Sequence, residues 1–223
     1  MSKYKITFAK RGYMIFTSHL DMQRLFKRAF KRAGIALEYS QGYNPHPLTS
    51  FAQPLSLGYY SEGEILEFRT KEDHSPSHIM NRLSEAMPEG LVILDISRMG
   101  DKEKTIASRC TAAIYNMKID MTDLKVTAQE LSELIPAFLG QQHIIVLKKS
   151  KKKKEPVATD IKEKIKEIDV NIVDDNFIMT MLLDAGSNSN LSPELFFQAF
   201  NEFSGACIPR ESVDITRIQL IYQ

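Results

Sequence analysis

The sequence predicts an α+β chain built from two tandem β-α-β-β-α-β units with antiparallel sheets. Three observations lead there. Apolar segments of strand length alternate with polar residues, helix starts marked by Ser or Thr caps fall between them, and the order strand, helix, strand, strand, helix, strand is met once and then again with an insertion at its middle. At 223 residues and 43% hydrophobic content, the chain can bury two small cores. This element order suits ferredoxin-like sandwiches, in which two helices cover one face of an antiparallel sheet.

In the first unit, residues 1–97, Tyr4, Ile6 and Phe8 alternate along a half-buried strand, and Gly12 precedes a short apolar run from Tyr13 to Phe16. Ser18 with Asp21 three positions on fits a capping box, and Met22, Leu25, Phe26, Ala29, Phe30 and Ala33 form the apolar stripe of a helix ended by Gly34. Ile35 to Tyr39 reads as a second strand. The loop that follows runs to about Gly63, a length that in a compact domain is usually functional. Ile65 to Thr70 is the third strand, Ser75-Pro76 opens a helix buried through Ile79, Leu83 and Met87, and Leu91 to Ile96 is the fourth strand.

Polar residues 98–109 link to the second unit, residues 110–223. It begins with a strand near Thr111 to Ile119 and a helix capped by Thr127 and Glu130, then a strand from His143 to Leu147. Strands near Ile168 to Val173 and Phe177 to Leu183 follow. Ser192-Pro193 starts a helix whose apolar face carries Phe196, Phe197, Phe200 and Phe203, and Val213 to Tyr222 closes the unit. An insertion at about residues 148–164 holds the run KKSKKKK, which suits either a solvated hairpin tip or a phosphate-attracting arm.

The formal charge of +1 conceals an asymmetry: residues 1–61 hold nine Lys/Arg against two acids, and the remainder twenty against twenty-six. A basic segment on an acidic remainder points to a phosphate-bearing or acidic partner. The start MSKYKITFAK has no signal-peptide core, and no apolar run approaches the ~18 residues that cross a bilayer, which predicts a cytoplasmic chain without membrane contact. Cys110 and Cys207 stand far apart and without neighbours at ligand spacing, so no disulfide framework, metal or cofactor is expected.

On a helical wheel, Arg24, Lys27, Arg28, Lys31 and Arg32 span about 140° opposite the apolar stripe. No acid interrupts them between Asp21 and Glu38, whereas a merely solvated face intersperses Glu with Lys because like charges at i,i+4 repel. A polyanion would relieve that repulsion; so would an acidic protein surface. Arginine favours phosphate, which its planar fork binds through two bonds. Ser18 and Asp21 serve the helix start, whereas His19 has no capping duty.

In Tyr39-Ser-Gln-Gly-Tyr-Asn-Pro-His-Pro47, Gly42 allows positive φ, while Pro45 and Pro47 push Asn44 and His46 toward extended backbone. Gln41, Asn44 and His46 offer hydrogen bonds, Tyr43 and Phe51 stacking faces, and Ser40 and Ser50 hydroxyls, parts that suit a base, sugar or phosphate. The same parts would also serve a self-packed rigid loop. His19, His46 and Asp21 lack any recognised metal-ligand spacing.

SHLD, the basic helix ending RAG, YSQGYNPHP, SFAQPL and G-x-x-S-x-x-E together resemble the uncharacterised bacterial family of radical-SAM-associated proteins, the DUF2344 domain. The resemblance is dense from Ser18 to Glu64 and looser later, where an Asp-Ile-Arg-Pro-like segment stands here as Asp169-Val170-Asn171-Ile172. It puts Ser18, His19, Asp21, Arg24, Arg28, Arg32, Gln41, Asn44, His46 and Ser50 on the family motif. Members of that family occur free-standing or joined to a radical SAM protein, which implies such a protein as partner. Two distant cysteines cannot hold a radical SAM cluster, which needs three at close spacing, so the chain itself is not the radical enzyme.

The leading expectation is therefore an accessory module that binds RNA, of tRNA-like kind, for a partner radical SAM enzyme, through Arg24, Lys27, Arg28, Lys31, Arg32, Gln41, Tyr43, Asn44, His46 and Ser50. One alternative is a stand-alone RNA-modifying enzyme using Asp21 with His19 or His46. The other is a protein–protein adaptor without nucleic acid.

Overall fold

The structure, a computed structural model, describes residues 2–148, 156–174 and 176–223. It is a mixed α+β chain with a large, mostly antiparallel sheet, and it divides into two compact units, Met1–Cys110 with Arg217–Gln223, and Thr111–Thr216. The last strand thus begins in the second unit and ends in the first. No helix among the described residues is long and apolar enough to cross a membrane.

The first unit contains β1 (Ser2–Lys10), a 3-10 turn (Gly12–Phe16), α1 (His19–Arg32), β2 (Thr49–Phe51), β3 (Tyr60–Thr70), α2 (Pro76–Ala86), β4 (Leu91–Met99) and α3 (Ile106–Arg109). β1 lies antiparallel between β3 and β4, with Ile6 opposite both Leu66 and Ile96, and β2 pairs with β3 through Ser50 opposite Glu67. β4, β1 and β3 are neighbours in that order; the path then continues from β3 to the last strand, Val213–Tyr222, and β2 pairs with β3 off that path. Alternation turns Tyr4, Ile6, Phe8, Leu66 and Phe68 to one face, where Met22, Phe26, Ala29 and Phe30 of α1 and Ile79 and Leu83 of α2 cover them. The rings interlock: Phe8 meets Phe26 edge-on at 4.9 Å, and Phe30 lies 4.7 Å from Phe68.

The expected strand at Ile35–Tyr39 is not one. It makes isolated bridges only, Leu37 to Thr70 and Tyr39 to Pro47, and the strand that pairs with β3 is Thr49–Phe51, inside the expected loop. Ile35 and Leu37 are buried, so the alternation was real, but it reports packing into the core rather than a ladder. The expected linker is also partly structured, since β4 extends to Met99 and Thr105 caps α3.

The second unit contains β5 (Cys110–Asp120), α4 (Ala128–Gly140), β6 (Ile145–Lys148), β7 (Val157–Asp160), β8 (Ile165–Val173), β9 (Asn176–Asp184), α5 (Pro193–Ser204) and the start of β10 (Val213–Tyr222). β9 lies antiparallel between β5 and β8, with Met181 opposite Tyr115 and Ile168. Phe138 of α4 sits edge-on to Phe196 and Phe200 of α5 at 5.7 and 5.4 Å. The segment expected as a main-sheet strand at His143–Leu147 instead pairs with β7 in a separate two-stranded sheet. Lys148 ends β6, and the rest of the lysine run lies outside the described residues.

Asp160 holds the base of that hairpin. It accepts hydrogen bonds from the Lys162 and Ile144 N–H groups at 3.0 and 3.1 Å, and His143 Nδ1 lies 2.6 Å away. The Lys162 bond, then His143 and Ile144, hold its carboxyl at about 2. A carboxyl depressed from its ordinary 3.8 stabilises the fold above that pH and loses its contribution as pH falls toward 2. The urea midpoint is expected to fall over that window, and Asp160→Asn to flatten the fall; an unchanged profile would refute the assignment.

Candidate functional site

The site starts at the end of β1. Lys10 is buried, and its ammonium donates to the Ile15 and Thr17 carbonyls at 3.1 and 3.2 Å. The Arg11 N–H donates to Gly90 O at 2.8 Å, and the Gly58 N–H to Ile15 O at 2.9 Å. These bonds fix the 3-10 turn and deliver the chain to Ser18, the N-cap of α1. Ser18 Oγ accepts from the Asp21 N–H at 3.2 Å and donates to Asp21 Oδ2 at 2.8 Å, and Arg24 lies 2.9 Å from Oδ1. The Ser18 and Arg24 hydrogen bonds hold the Asp21 carboxyl below its ordinary range. A carboxylate stabilised in this way is a weak base, so Asp21 serves the helix start and the neighbouring arginine.

The five cations of α1 line two different recesses. Arg24, Arg28 and Arg32, one turn apart, line a groove of about 390 Å³ with Thr17, Asp21, Leu25 and Pro88. Arg32 also donates to Ala86 O at 2.6 Å. Lys27 and Lys31 line a different recess with Tyr39 and Lys71, and the Lys27 ammonium stands 5.9 Å over the Tyr39 ring. The arginines and lysines thus face different neighbours, which a helical wheel cannot show.

His19 lines neither recess. Its Nε2 is 3.1 Å from Gln23 Nε2, and its ring meets Phe51 edge-on at 5.2 Å. With Phe8, Lys10, Thr17, Met22, Phe51, Gln53, Leu55 and Glu64 it bounds a slot whose accessible space, about 20 Å³, admits a single water-sized group. Thr17 lines this slot and the arginine groove alike.

The loop closes on its own backbone. The Ser40 N–H donates to His46 O at 2.8 Å, and the His46 N–H returns to Ser40 Oγ at 3.0 Å. Gly42 takes φ +125°, and Gln41, Tyr43, Asn44 and His46 project into solvent. Ser50 sits on β2 and lines a further recess with Lys3, Glu67, Arg69, Glu103 and Thr105. Asp21, His19 and His46 therefore belong to three different features: the groove, the slot and the loop. No group of three or more His, Cys, Asp or Glu among the described residues is arranged to hold a metal ion.

A family model described as an uncharacterized protein conserved in bacteria (DUF2344) matches residues 3–193. The chain belongs to this family. No curated protein matches it. Among solved structures it is similar to a chain in the crystal structure of a Cbf5-Nop10-Gar1 complex, at 8% identity and a TM-score of 0.54, over 97% of this chain and 48% of that one. It spans about half of that chain's length, and at such identity the likeness concerns the fold alone. A crystal structure of an unknown protein from Galdieria sulphuraria matches at 13% identity over 99% of this chain and 98% of that one, with a TM-score of only 0.28.

In this DUF2344 chain, sequence reasoning passed over the buried charges beneath the site. Arg217, 1% exposed, donates from Nε to Glu64 Oε1 at 2.7 Å, from Nη2 to Glu64 Oε2, and to Gln53 O at 2.8 Å. Glu64 also accepts from Ser61 Oγ at 2.7 Å. Burial lowers the Lys10 pKa, and Glu64 pulls it back up. Ser61 and Glu64 occupy the G-x-x-S-x-x-E motif, and Arg217 stands at an inward position after Val213 and Ile215. A charge on the apolar side of an alternating strand was the available signal.

Proposed function

We propose that the chain is a cytoplasmic RNA-binding module that presents a tRNA-like substrate to a separate radical SAM enzyme. The observation that carries the RNA reading is the arginine groove: Arg24, Arg28 and Arg32 line it against a single carboxylate, Asp21. Arginines one turn apart can each meet a phosphate, and the fork geometry suits phosphate oxygens. The loop's exposed Gln41, Tyr43, Asn44 and His46 add hydrogen-bonding and stacking groups. The commitment of Asp21 to Ser18 and Arg24 favours binding over stand-alone catalysis. The enzyme partner rests on family resemblance.

We read the two units as tandem ferredoxin-like folds. The antiparallel β4-β1-β3 neighbourhood of the first, with β2 paired to β3, and the β5-β9-β8 neighbourhood of the second with its inserted β6–β7 hairpin, support this reading.

Filter binding of total tRNA across a salt series tests the function. The wild type is expected to bind at low salt, and Arg24→Ala/Arg28→Ala to bind more weakly, with a log–log salt slope shallower by about 1.5. No affinity at low salt, with the variant equal to the wild type, would refute it.

A further inference from the structure

The 3-10 turn that leads into α1 carries two aromatic side chains that the fold does not use. Tyr13 is 93% exposed and Phe16 66%, while Ile15 between them is buried. Side chains three apart in a 3-10 turn eclipse one another, so the two rings emerge along one edge. Leu20, in the first turn of α1, and Leu57, next to the Gly58 that bonds Ile15, are also exposed. Scattered surface apolar residues are ordinary, but two exposed aromatic rings on the turn that leads into a charged groove are a recognition feature.

The backbone beneath the rings is fixed from several sides. Arg11 is tied to Gly90, Ile15 to Gly58, and the Lys10 ammonium reaches both Ile15 and Thr17. The Thr17 N–H donates to Met14 O at 2.9 Å and closes the turn. The exposed rings therefore stand on an anchored turn and not on a frayed end. The turn also adjoins the arginine groove: Thr17, the next residue, lines that groove, and so does Pro88, two residues before the Gly90 that bonds Arg11.

Cationic groups for a sugar–phosphate chain beside flat aromatic faces are what an unpaired strand requires, because every base offers a face for stacking. A duplex would give its phosphates to the arginines but keep its bases stacked within itself. We propose that Tyr13 and Phe16 form a stacking platform for unpaired bases of the RNA whose phosphates occupy the Arg24–Arg28–Arg32 groove. The site is thereby selective for single-stranded or looped RNA. This rests on the RNA reading above and narrows its substrate.

Binding of a labelled unstructured RNA oligonucleotide and of a fully paired duplex of the same composition tests it, using the full chain. Tyr13→Ala and Phe16→Ala are each expected to weaken the unpaired oligonucleotide about tenfold with an unchanged salt slope. Duplex affinity and thermal midpoint should stay at wild-type values, and Tyr13→Phe should retain binding. Wild-type affinity of both alanine variants for the unpaired strand would overturn the platform while leaving the groove intact. Equal losses for strand and duplex, or variants that bind RNA normally but lose a co-purifying protein, would also overturn it, the last in favour of protein docking. A wild type with no RNA affinity would overturn the platform and the groove together.

Discussion

Arg217→Ala is expected to destabilise the protein by about 3–5 kcal/mol, because it strands a buried carboxylate. Glu64 is 4% exposed and takes both Arg217 bonds on its two oxygens. Without the guanidinium it keeps Ser61 Oγ and the field of Lys10, whose ammonium is committed to Ile15 and Thr17. The Gln53 carbonyl also loses the Arg217 bond, and with it the segment leading away from Phe51 loses a tether to β10. Urea unfolding with a constant slope measures the cost. Replacing both partners, as Glu64→Gln/Arg217→Met, should recover more than half of it, since the neutral amide can still bond Ser61, no carboxylate is stranded, and the Lys10 ammonium keeps its bonds to the Ile15 and Thr17 carbonyls. A double variant no better than Arg217→Ala would show that packing of the arginine, not the orphaned charge, sets the cost. Because Glu64 and Lys10 both line the His19 slot, the same substitution should disturb the helix start as well as the global fold.

What could be read in the sequence was what the chain fixes locally. Ser18, Ser75, Thr127 and Ser192 all cap helices, because a cap needs only a side-chain oxygen and an N–H group three residues on. The Tyr4, Ile6 and Phe8 alternation marked a core-facing strand for the same reason. The rest depends on partners distant in sequence. Thr49–Phe51 is too short to show a period and becomes a strand only by pairing with β3. The arginines part from the lysines because Pro88 stands on one side of α1, and Tyr39 and Lys71 on the other. The Glu64–Arg217 pair joins residues 153 apart, a distance no local pattern encodes. Tyr13 to Phe16 read as an apolar run; only the 3-10 turn reveals that Ile15 goes inward while Tyr13 and Phe16 face out.

Gly90→Ala is expected to cost about 2–5 kcal/mol, from two sources that act on the same turn. Gly90 has φ +85°, where an alanine carries a steric penalty of about 1–2 kcal/mol. A Cβ there would also stand 2.6 Å from the Arg11 carbonyl oxygen and 2.9 Å from Met14 Cγ, and relieving such overpacking adds about 1–3 kcal/mol. The methionine can turn aside, but the carbonyl is backbone and carries the whole 3-10 turn with it. Gly12→Ala separates the two sources: its φ is +53° and nothing lies within 4 Å of its Cβ position, so only the conformational penalty applies. Urea unfolding should therefore rank Gly90→Ala well below Gly12→Ala, and costs equal within about 0.5 kcal/mol would show that the turn yields freely. A turn that yields would hold Tyr13 and Phe16 loosely, whereas a large difference means that Gly90 lets β4 approach closely enough to set the aromatic edge beside the arginine groove. The RNA affinity of Gly90→Ala, measured where the variant is still fully folded, should then fall for the unpaired strand more than for the duplex, although neither ring has been changed.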